Sequence, residues 1–219
     1  MKTAFSVTIP NWMPETRKRT LKVDSQYWDE RYAAEEYAYG REPNEFLRVE
    51  AHRIPNGRVL CLAEGEGRNA VFLAGLGHEV TVVDFSRQGL RKAENLARQR
   101  GVKLNLIHSD LASYEPEDGF AGIVSIFAHV PESVRRRIHT WVPQALTTGG
   151  IFLLEAYTPR QPAFGTGGPR DPARLMTLEG LRSELSPLRL ILGREVEREI
   201  SEGTYHTGIG ATVQVIAVR

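Results

Sequence analysis

Val59-Leu60-Cys61-Leu62-Ala63-Glu64-Gly65-Glu66-Gly67-Arg68-Asn69-Ala70 is the stretch on which the fold turns. An unbroken apolar run leads into a turn with two glycines, and a helical pattern follows. A short continuous apolar run bounded by turn residues is the signature of a strand buried on both faces. Glycine in such a turn admits unusual backbone angles and lets another group approach bare backbone. Gly65-x-Gly67-x-x-Ala70 also fits the spacing of a dinucleotide-binding turn, a pattern that gains weight from its place between strand and helix.

Similar apolar runs recur at residues 80–83, 104–107, 123–127 and 151–154, with helical patterns between them. Residues 69–76 read as a helix closed by Gly77. Ser86 is placed to cap a helix reaching Arg100, with Leu90, Ala93, Leu96 and Ala97 on one face and Gly101 at its end. A third helix over residues 132–146 carries Val134, Ile138, Trp141 and Val142 on one side. Arg135-Arg136-Arg137 falls largely on the other and reads as a solvated face. Strands alternating with helices imply βαβ units and a parallel, doubly wound α/β sheet. The tail breaks the beat: a short helix near residues 177–185 precedes strand-like runs at 188–200 and 211–218. With no helix between those two, an antiparallel C-terminal edge is expected, and a mostly parallel seven-stranded sheet in all.

Before the first strand, residues 25–56 read as a helical cap of two helices, one through residues 26–32 and one over 45–52 started by Pro43-Asn44. Residues 1–24 hold five basic and two acidic residues, Pro10 and Pro14, and no periodicity. They read as a loosely ordered basic arm, and residues 25–219 as a single domain. The whole chain of 219 residues has 28 Lys and Arg against 27 Asp and Glu, a formal charge of +1. That balance excludes a strong bulk field for nucleic acid or an anionic membrane. One Cys forms no internal disulfide. With no long apolar segment and a poor signal peptide, a cytoplasmic protein is expected.

The chemistry-bearing residues gather at one place in this scheme. Glu64 to Gly67, Asp84, Ser109-Asp110-Leu111 and Phe127-Ala128-His129 each follow the carboxyl end of a successive strand. In an open α/β sheet that edge is where ligands bind. Asp84, 17 residues beyond Gly67, either accepts the two hydroxyls of a ribose or caps the next helix. Asp110 either accepts from an exocyclic amine such as adenine N6 or caps a turn. A site for an adenosine-containing ligand follows. His52, His78, His108 and His139 show no metal-ligand spacing, and neither a nucleophile elbow nor a phosphate-binding loop is present, so no metal is expected.

Taken with Thr148-Gly149-Gly150 ahead of the fifth strand, these residues resemble class I S-adenosylmethionine-dependent methyltransferases, over roughly residues 27–218. Trp28-Asp29-Glu30-Arg31-Tyr32, Tyr39-Gly40-x-x-Pro43-Asn44-x-Phe46-Leu47 and the tail Glu202-Gly203-x-Tyr205-His206-x-Gly208 look like the small-molecule branch typified by tellurite-resistance and thiopurine methyltransferases. The resemblance implies a Rossmann-like fold, S-adenosylmethionine as cofactor and S-adenosylhomocysteine as product. It places Trp28, Arg31, Tyr39, Ala63, Glu64, Gly65, Gly67, Asn69, Asp84, Phe85, Ser86, Asp110, Leu111 and Phe127 at that cofactor. This chain has Cys61 where the family's first motif carries an acidic residue, and Ala63 where it carries a glycine. Cys61 reads as an inert strand residue. Glu64 meets either the cofactor's ammonium group or Arg31 or Arg68.

Such a reaction is a displacement at an activated methyl, so alignment and desolvation carry most of the catalysis. His129, Tyr157 and His206, with Tyr205, are the candidates for acceptor contact or proton removal. Trp28 and Tyr39 offer aromatic faces to a sulfonium. Residues 158–172 form the longest loop, a lid candidate in which Arg160 or Arg170 either holds an anionic acceptor or is solvated. The expected partner is a small-molecule acceptor, with neither nucleic acid nor membrane; its identity and the oligomeric state are not legible. Two other readings remain: an NAD(P)-dependent oxidoreductase using the two-glycine turn, and a non-catalytic cofactor-binding or interaction protein.

Overall fold

The computed structural model describes residues 25–219, so the basic arm lies outside the described residues. Two short helices come first, α1 (Ser25–Arg31) and α2 (Glu45–Glu50), the second extended by a 3-10 turn at Ala51–Arg53. Asn44 caps α2, its side-chain oxygen accepting from the Leu47 amide. Then β1 (Arg58–Leu62), α3 (Arg68–Gly75), β2 (Glu79–Asp84), α4 (Arg87–Arg100), β3 (Asn105–His108), β4 (Phe120–Ile126), α5 (Glu132–Ala145) and β5 (Leu146–Tyr157) alternate as the apolar runs require. After the long loop and α6 (Leu178–Glu184), β6 (Arg189–Glu202) and β7 (His206–Val218) close the chain.

The seven strands lie in the order β3-β2-β1-β4-β5-β7-β6. The first five pair in parallel. β7 runs against both β5 and β6, so the reversed strand sits second from the edge and β6 is the outermost. The strand order reverses between β1 and β4, and ligands of open α/β sheets bind at the carboxyl ends beside such a reversal.

Both faces of the sheet are covered, which is why its strands read as unbroken apolar runs. Successive side chains of a strand point to opposite faces. Val59 and Cys61 accordingly join Leu73, Val80, Leu90 and Leu153 in one cluster. Leu60 and Leu62 join Ile123, Ile138, Val142 and Phe152 in the other. Each such aliphatic side chain contributes about 1.5–3 kcal/mol on full burial. Cys61 is fully buried, and burial pushes its thiol well up, as an inert strand residue requires.

The solvated-face reading of Arg135-Arg136-Arg137 is corrected. Arg136 is exposed, but Arg135 is buried and grips both oxygens of Glu184 on α6, Nε–Oε2 3.0 Å and Nη2–Oε1 2.9 Å. His139 Nδ1 meets the same carboxylate at 2.7 Å. Burial pushes the Glu184 carboxyl up, yet the hydrogen bonds from His139 and Arg135 outweigh it and hold it down at about 2. Arg137 donates to the carbonyls of Leu111 and Tyr114. These contacts fasten α5 to α6 and to the first half of the β3–β4 connection.

Candidate active site

At the end of β1 the chain enters its turn through two left-handed residues, Ala63 (φ 48°) and Gly65 (φ 62°). Ala63 stands in a conformation that costs an L-residue about 1–2 kcal/mol. Asp84, at the end of β2, secures the turn: Oδ2 accepts from the Gly65 amide at 2.8 Å and Oδ1 from the Ser86 amide at 2.7 Å. It thus bridges the first and second strand–helix turns, and the cap of α4 is not Asp84 but Ser86, which accepts from the Gly89 amide. Burial pushes the Asp84 carboxyl up to about 6 against the pull of those two amides.

Glu64 makes neither expected ion pair. It turns onto the start of α3, where Oε1 accepts from the amides of Asn69 (2.8 Å) and Ala70 (2.9 Å). Burial pushes its carboxyl up to about 7. The two glycines also serve the protein itself. A Cβ at Gly67 would stand 2.6 Å from Ala93 Cβ, so Gly67 lets α3 and α4 close. A Cβ at Gly65 would stand 2.5 Å from the Tyr32 hydroxyl. The bare backbone expected to face a ligand is therefore roofed by one phenol.

That phenol belongs to a front segment, residues 25–40, laid across the rim. Trp28 stacks on Tyr32 at 5.5 Å, and Tyr39 lies 6.4 Å from both rings. Asp29 accepts from the Ser86 hydroxyl (2.6 Å) and the Gln88 amide (3.1 Å) at the start of α4. Lys92 pairs with buried Glu66 at 2.6 Å and donates to the carbonyls of Ala34 and Glu36. Arg31 lies over the Tyr205 ring, 3.9 Å from its centre.

Phe127 ends β4 in the left-handed region (φ 51°), an expensive conformation for a bulky residue. It carries its ring into an aromatic box, 4.7 Å from Tyr157 and 4.7 Å from His206. Tyr39 closes the box 4.6 Å from His206. His129 stacks on Tyr157 at 5.4 Å. The structure thus brings Tyr157, His206 and His129 together with Phe127 and Tyr39. His129 has both ring nitrogens engaged: Nδ1 with the Arg174 carbonyl at 3.0 Å, Nε2 accepting from the Tyr157 amide at 3.3 Å. It acts on the backbone of Tyr157 and has no nitrogen to offer an acceptor. Tyr205 is half exposed at the rim, while Asp110 is exposed and accepts from the Ala112 amide at 2.8 Å. Leu111 is buried in the core and Phe85 is half-buried.

Three polar atoms around this box are buried without a hydrogen-bond partner: Tyr157 Oη, His206 Nδ1 and Arg68 Nη1. Leaving a buried polar group unpaired costs about 1–3 kcal/mol, so three together mark a place shaped for something other than stability. Burial, helped by the charges of Arg68 and Arg198, pushes His206 down to about 3. Burial pushes the Tyr157 phenol up, and Tyr39 up to about 12. At neutral pH all three rings are uncharged.

The His206 shift has a sign that denaturation can read. Unfolded, His206 protonates below about pH 6.5; folded, it stays neutral down to about 3. Its contribution is complete above pH 6.5 and is lost as pH falls toward 3. Urea unfolding between pH 6 and 4 should therefore show His206→Phe gaining on the wild type by about 1.4 kcal/mol per pH unit. Parallel pH profiles for the two proteins would contradict it.

Sequence reasoning missed the buried ion network beneath the box. Glu155, on β5 and fully buried, takes Arg198 bidentately (Nε–Oε1 2.8 Å, Nη2–Oε2 2.7 Å). It also accepts from Asn44 Nδ2 (2.6 Å), Gln214 Nε2 (2.7 Å) and Thr212 Oγ1 (3.1 Å). Glu202 accepts from Asn44 (2.9 Å), Arg198 (3.1 Å) and Arg68 Nη2 (2.5 Å). Two carboxylates and two guanidiniums thereby tie the start of α2, the glycine turn, β5 and the β6–β7 hairpin to one point. Asn44 in the front motif and Glu202 in the tail motif were the only visible signals. Arg160, a lid candidate for holding an anion, pairs instead with Glu197 on β6.

Residues 59–150, from β1 to the middle of β5, match the family model described as a methyltransferase domain. Over this stretch, somewhat under half of its length, the chain is similar to methyltransferase domains. Among solved structures, the chain is similar to one concerned with the conversion of a disulfide bond into a thioacetal group during echinomycin biosynthesis (TM-score 0.71, 20% identity, covering 90% of this chain and 89% of that one). It is similar to TehB from Haemophilus influenzae (0.66, 16%, covering 89% and 66%). A third is a SAM-dependent methyltransferase from Methanosarcina mazei (0.63, 20%, covering 78% and 96%). At such identities the likeness is one of fold. No curated protein matches the chain in sequence. Within the matched stretch lie Asp84, the glycine turn, Asp110, Phe127 and His129; Tyr157, His206 and the front segment lie outside it.

Proposed function

We propose that residues 25–219 form a single-domain methyltransferase that uses S-adenosylmethionine to methylate a small acceptor. The observation that carries this reading is the aromatic box: on a methyltransferase domain, beside its glycine turn, buried polar atoms stand unpaired among aromatic faces. The rim's donor and acceptor set fits the cofactor. Gln88 Oε1, on the first turn of α4, is likewise buried and unpaired. Tyr32 covers Gly65, and a nucleoside lying on that glycine would need the phenol displaced. Asp84 bridging Gly65 and Ser86, together with Asp110, Leu111 and Phe85, would hold the nucleoside end. Trp28, Tyr39 and Phe127 would face the sulfonium, which an aromatic quadrupole attracts.

When bound, S-adenosylmethionine supplies a methyl group already activated on a positively charged sulfur. The chain's residues are left with orientation and exclusion of water. His129 fixes the backbone at Tyr157. His206, held near 3, is a weak base at neutral pH, and Tyr157 keeps its proton. The reading assigns both to contact with the acceptor through hydrogen bonds. Among the described residues no helix is long and apolar enough to cross a membrane, and we assign the enzyme to the cytoplasm on its balanced charge and single buried Cys.

Calorimetry tests the proposal. Titration with S-adenosylmethionine and S-adenosylhomocysteine should give saturable heat, and NADH none. Heat with NADH alone would replace methyl transfer by hydride transfer as the function.

A further inference from the structure

The orphaned atoms of the box sit under a thin roof. Residues 165–168, Gly-Thr-Gly-Gly, pass over Tyr157 so closely that a Cβ at Gly167 would stand 3.6 Å from its hydroxyl, 3.5 Å from His206 Cδ2 and 2.7 Å from the Tyr205 carbonyl. Gly167 and Gly168 are exposed, whereas Tyr157 and His206 below them are buried. One buried side chain holds this flap. Gln161 donates through Nε2 to Thr166 Oγ1 and to the Gly167 carbonyl, both at 3.1 Å, and accepts from the Ala211 amide at 2.8 Å. Thr166 Oγ1 donates in turn to the Ile209 carbonyl at 2.6 Å.

We infer that the acceptor subsite lies beneath residues 165–168, and that it takes the acceptor as an anion held by Arg68 Nη1, Tyr157 Oη and His206 Nδ1. The inference rests on the methyl-transfer reading and deepens it. Arg68 is positioned for the task by its other nitrogen, pinned to Glu202 at 2.5 Å. Its side chain is more than nine-tenths buried. Glu202 accepts from Arg198 and Asn44 besides, so Arg68 is not the only group that neutralises it. An unpaired guanidinium nitrogen, a neutral imidazole and an unpaired phenol make a donor set for negative charge, and hydrogen bonds to a charged partner are the stronger kind. Phe127, Tyr39 and the Tyr157 ring supply flat apolar walls, so the fitting acceptor is a small aromatic or apolar body carrying one ionised oxygen or sulfur. Such an acceptor arrives already deprotonated, in keeping with a box that contains no group able to remove its proton.

A coloured probe separates the ionised from the neutral form without any turnover. 4-Nitrophenol should bind the intact protein as its yellow anion, so that the anion band grows on adding protein at a pH where the free phenol is mostly protonated. 4-Nitroanisole, which cannot ionise, should bind at least tenfold more weakly. Tyr157→Phe keeps the ring and removes only the unpaired hydroxyl. It should fold with an unchanged or higher melting temperature and bind the anion about 10–100-fold more weakly. Equal affinity for the phenol and the anisole, or an anion band insensitive to Tyr157→Phe, would overturn the inference. If that variant fails to fold, the discrimination between the two probes by the wild type decides alone. S-adenosylhomocysteine is titrated in parallel: loss of its heat speaks against methyl transfer itself, whereas retained heat without anion binding removes only the acceptor assignment.

Discussion

Glu155→Ala should unfold with a midpoint on the order of 10 °C below that of the wild type. Glu155 is fully buried and is the common acceptor for Arg198, Asn44, Thr212 and Gln214. Removing it leaves a guanidinium whose side chain is 18% exposed with one remaining carboxylate, and three further donors short of a partner. Breaking a buried pair from one side costs about 3–5 kcal/mol, because the surviving charge stays desolvated. In a chain of this size each kcal/mol moves the midpoint by about 2–4 °C. Glu45→Ala is the natural comparison. Its pair with Arg48 is more than half exposed on both sides, and exposed pairs contribute about 0–1 kcal/mol. Thermal denaturation of the two variants side by side would therefore separate buried pairing from surface pairing. Similar midpoints for both would show that the network is incidental to the fold.

Gly203→Ala should damage the site more than the fold. Gly203 turns the β6–β7 hairpin in the left-handed region (φ 71°), where an alanine costs about 1–2 kcal/mol. Its would-be Cβ meets the backbone of residues 38–40: the Gly40 nitrogen, the Tyr39 carbonyl carbon at 2.5 Å and the Ala38 oxygen at 2.6 Å. Neither segment gives way by rotating a side chain, so the hairpin and the Tyr39 loop must part. The Thr204 amide then loses the Ala38 carbonyl (3.0 Å), and Tyr39 leaves His206, with which it shares the box at 4.6 Å. Affinity for S-adenosylhomocysteine should fall more than tenfold, and the fluorescence of Trp28, which neighbours Tyr39, should change. Unaltered affinity and emission would mean that the hairpin does not close the box.

Both variants act through contacts that join distant parts of the chain, and such contacts are what the sequence does not display. Asn44 and Glu155 are 111 residues apart, and Asn44 and Glu202 are 158 apart. Each looks by itself like an ordinary polar residue near an element end. Arg135 met the same fate. A cationic face on a helix reads as solvated until another helix brings Glu184 against it. Gly67 carried a true signal, the need for close approach, and the group that approaches it from within the protein is Ala93 of α4. Ala63 and Phe127 are the converse case: nothing in a row of side chains announces that an alanine and a phenylalanine will hold left-handed backbone.

What the sequence determined by itself was local and periodic. The unbroken apolar runs meant strands covered on both faces, and the caps at Asn44, Ser86 and Gly101 meant helix ends. Their alternation meant parallel units whose carboxyl ends share one rim. Each inference needs only a few neighbouring residues, since burial period and capping are set within a turn or two of chain. The tertiary structure alone decided which charges were buried and paired, that Tyr32 covers the glycine turn, and that Tyr157 Oη, His206 Nδ1 and Arg68 Nη1 are buried without a partner. The reason is that desolvation and pairing depend on which segments meet in space, and the cost of burying a charge or a hydroxyl is set by neighbours that no short window of sequence contains.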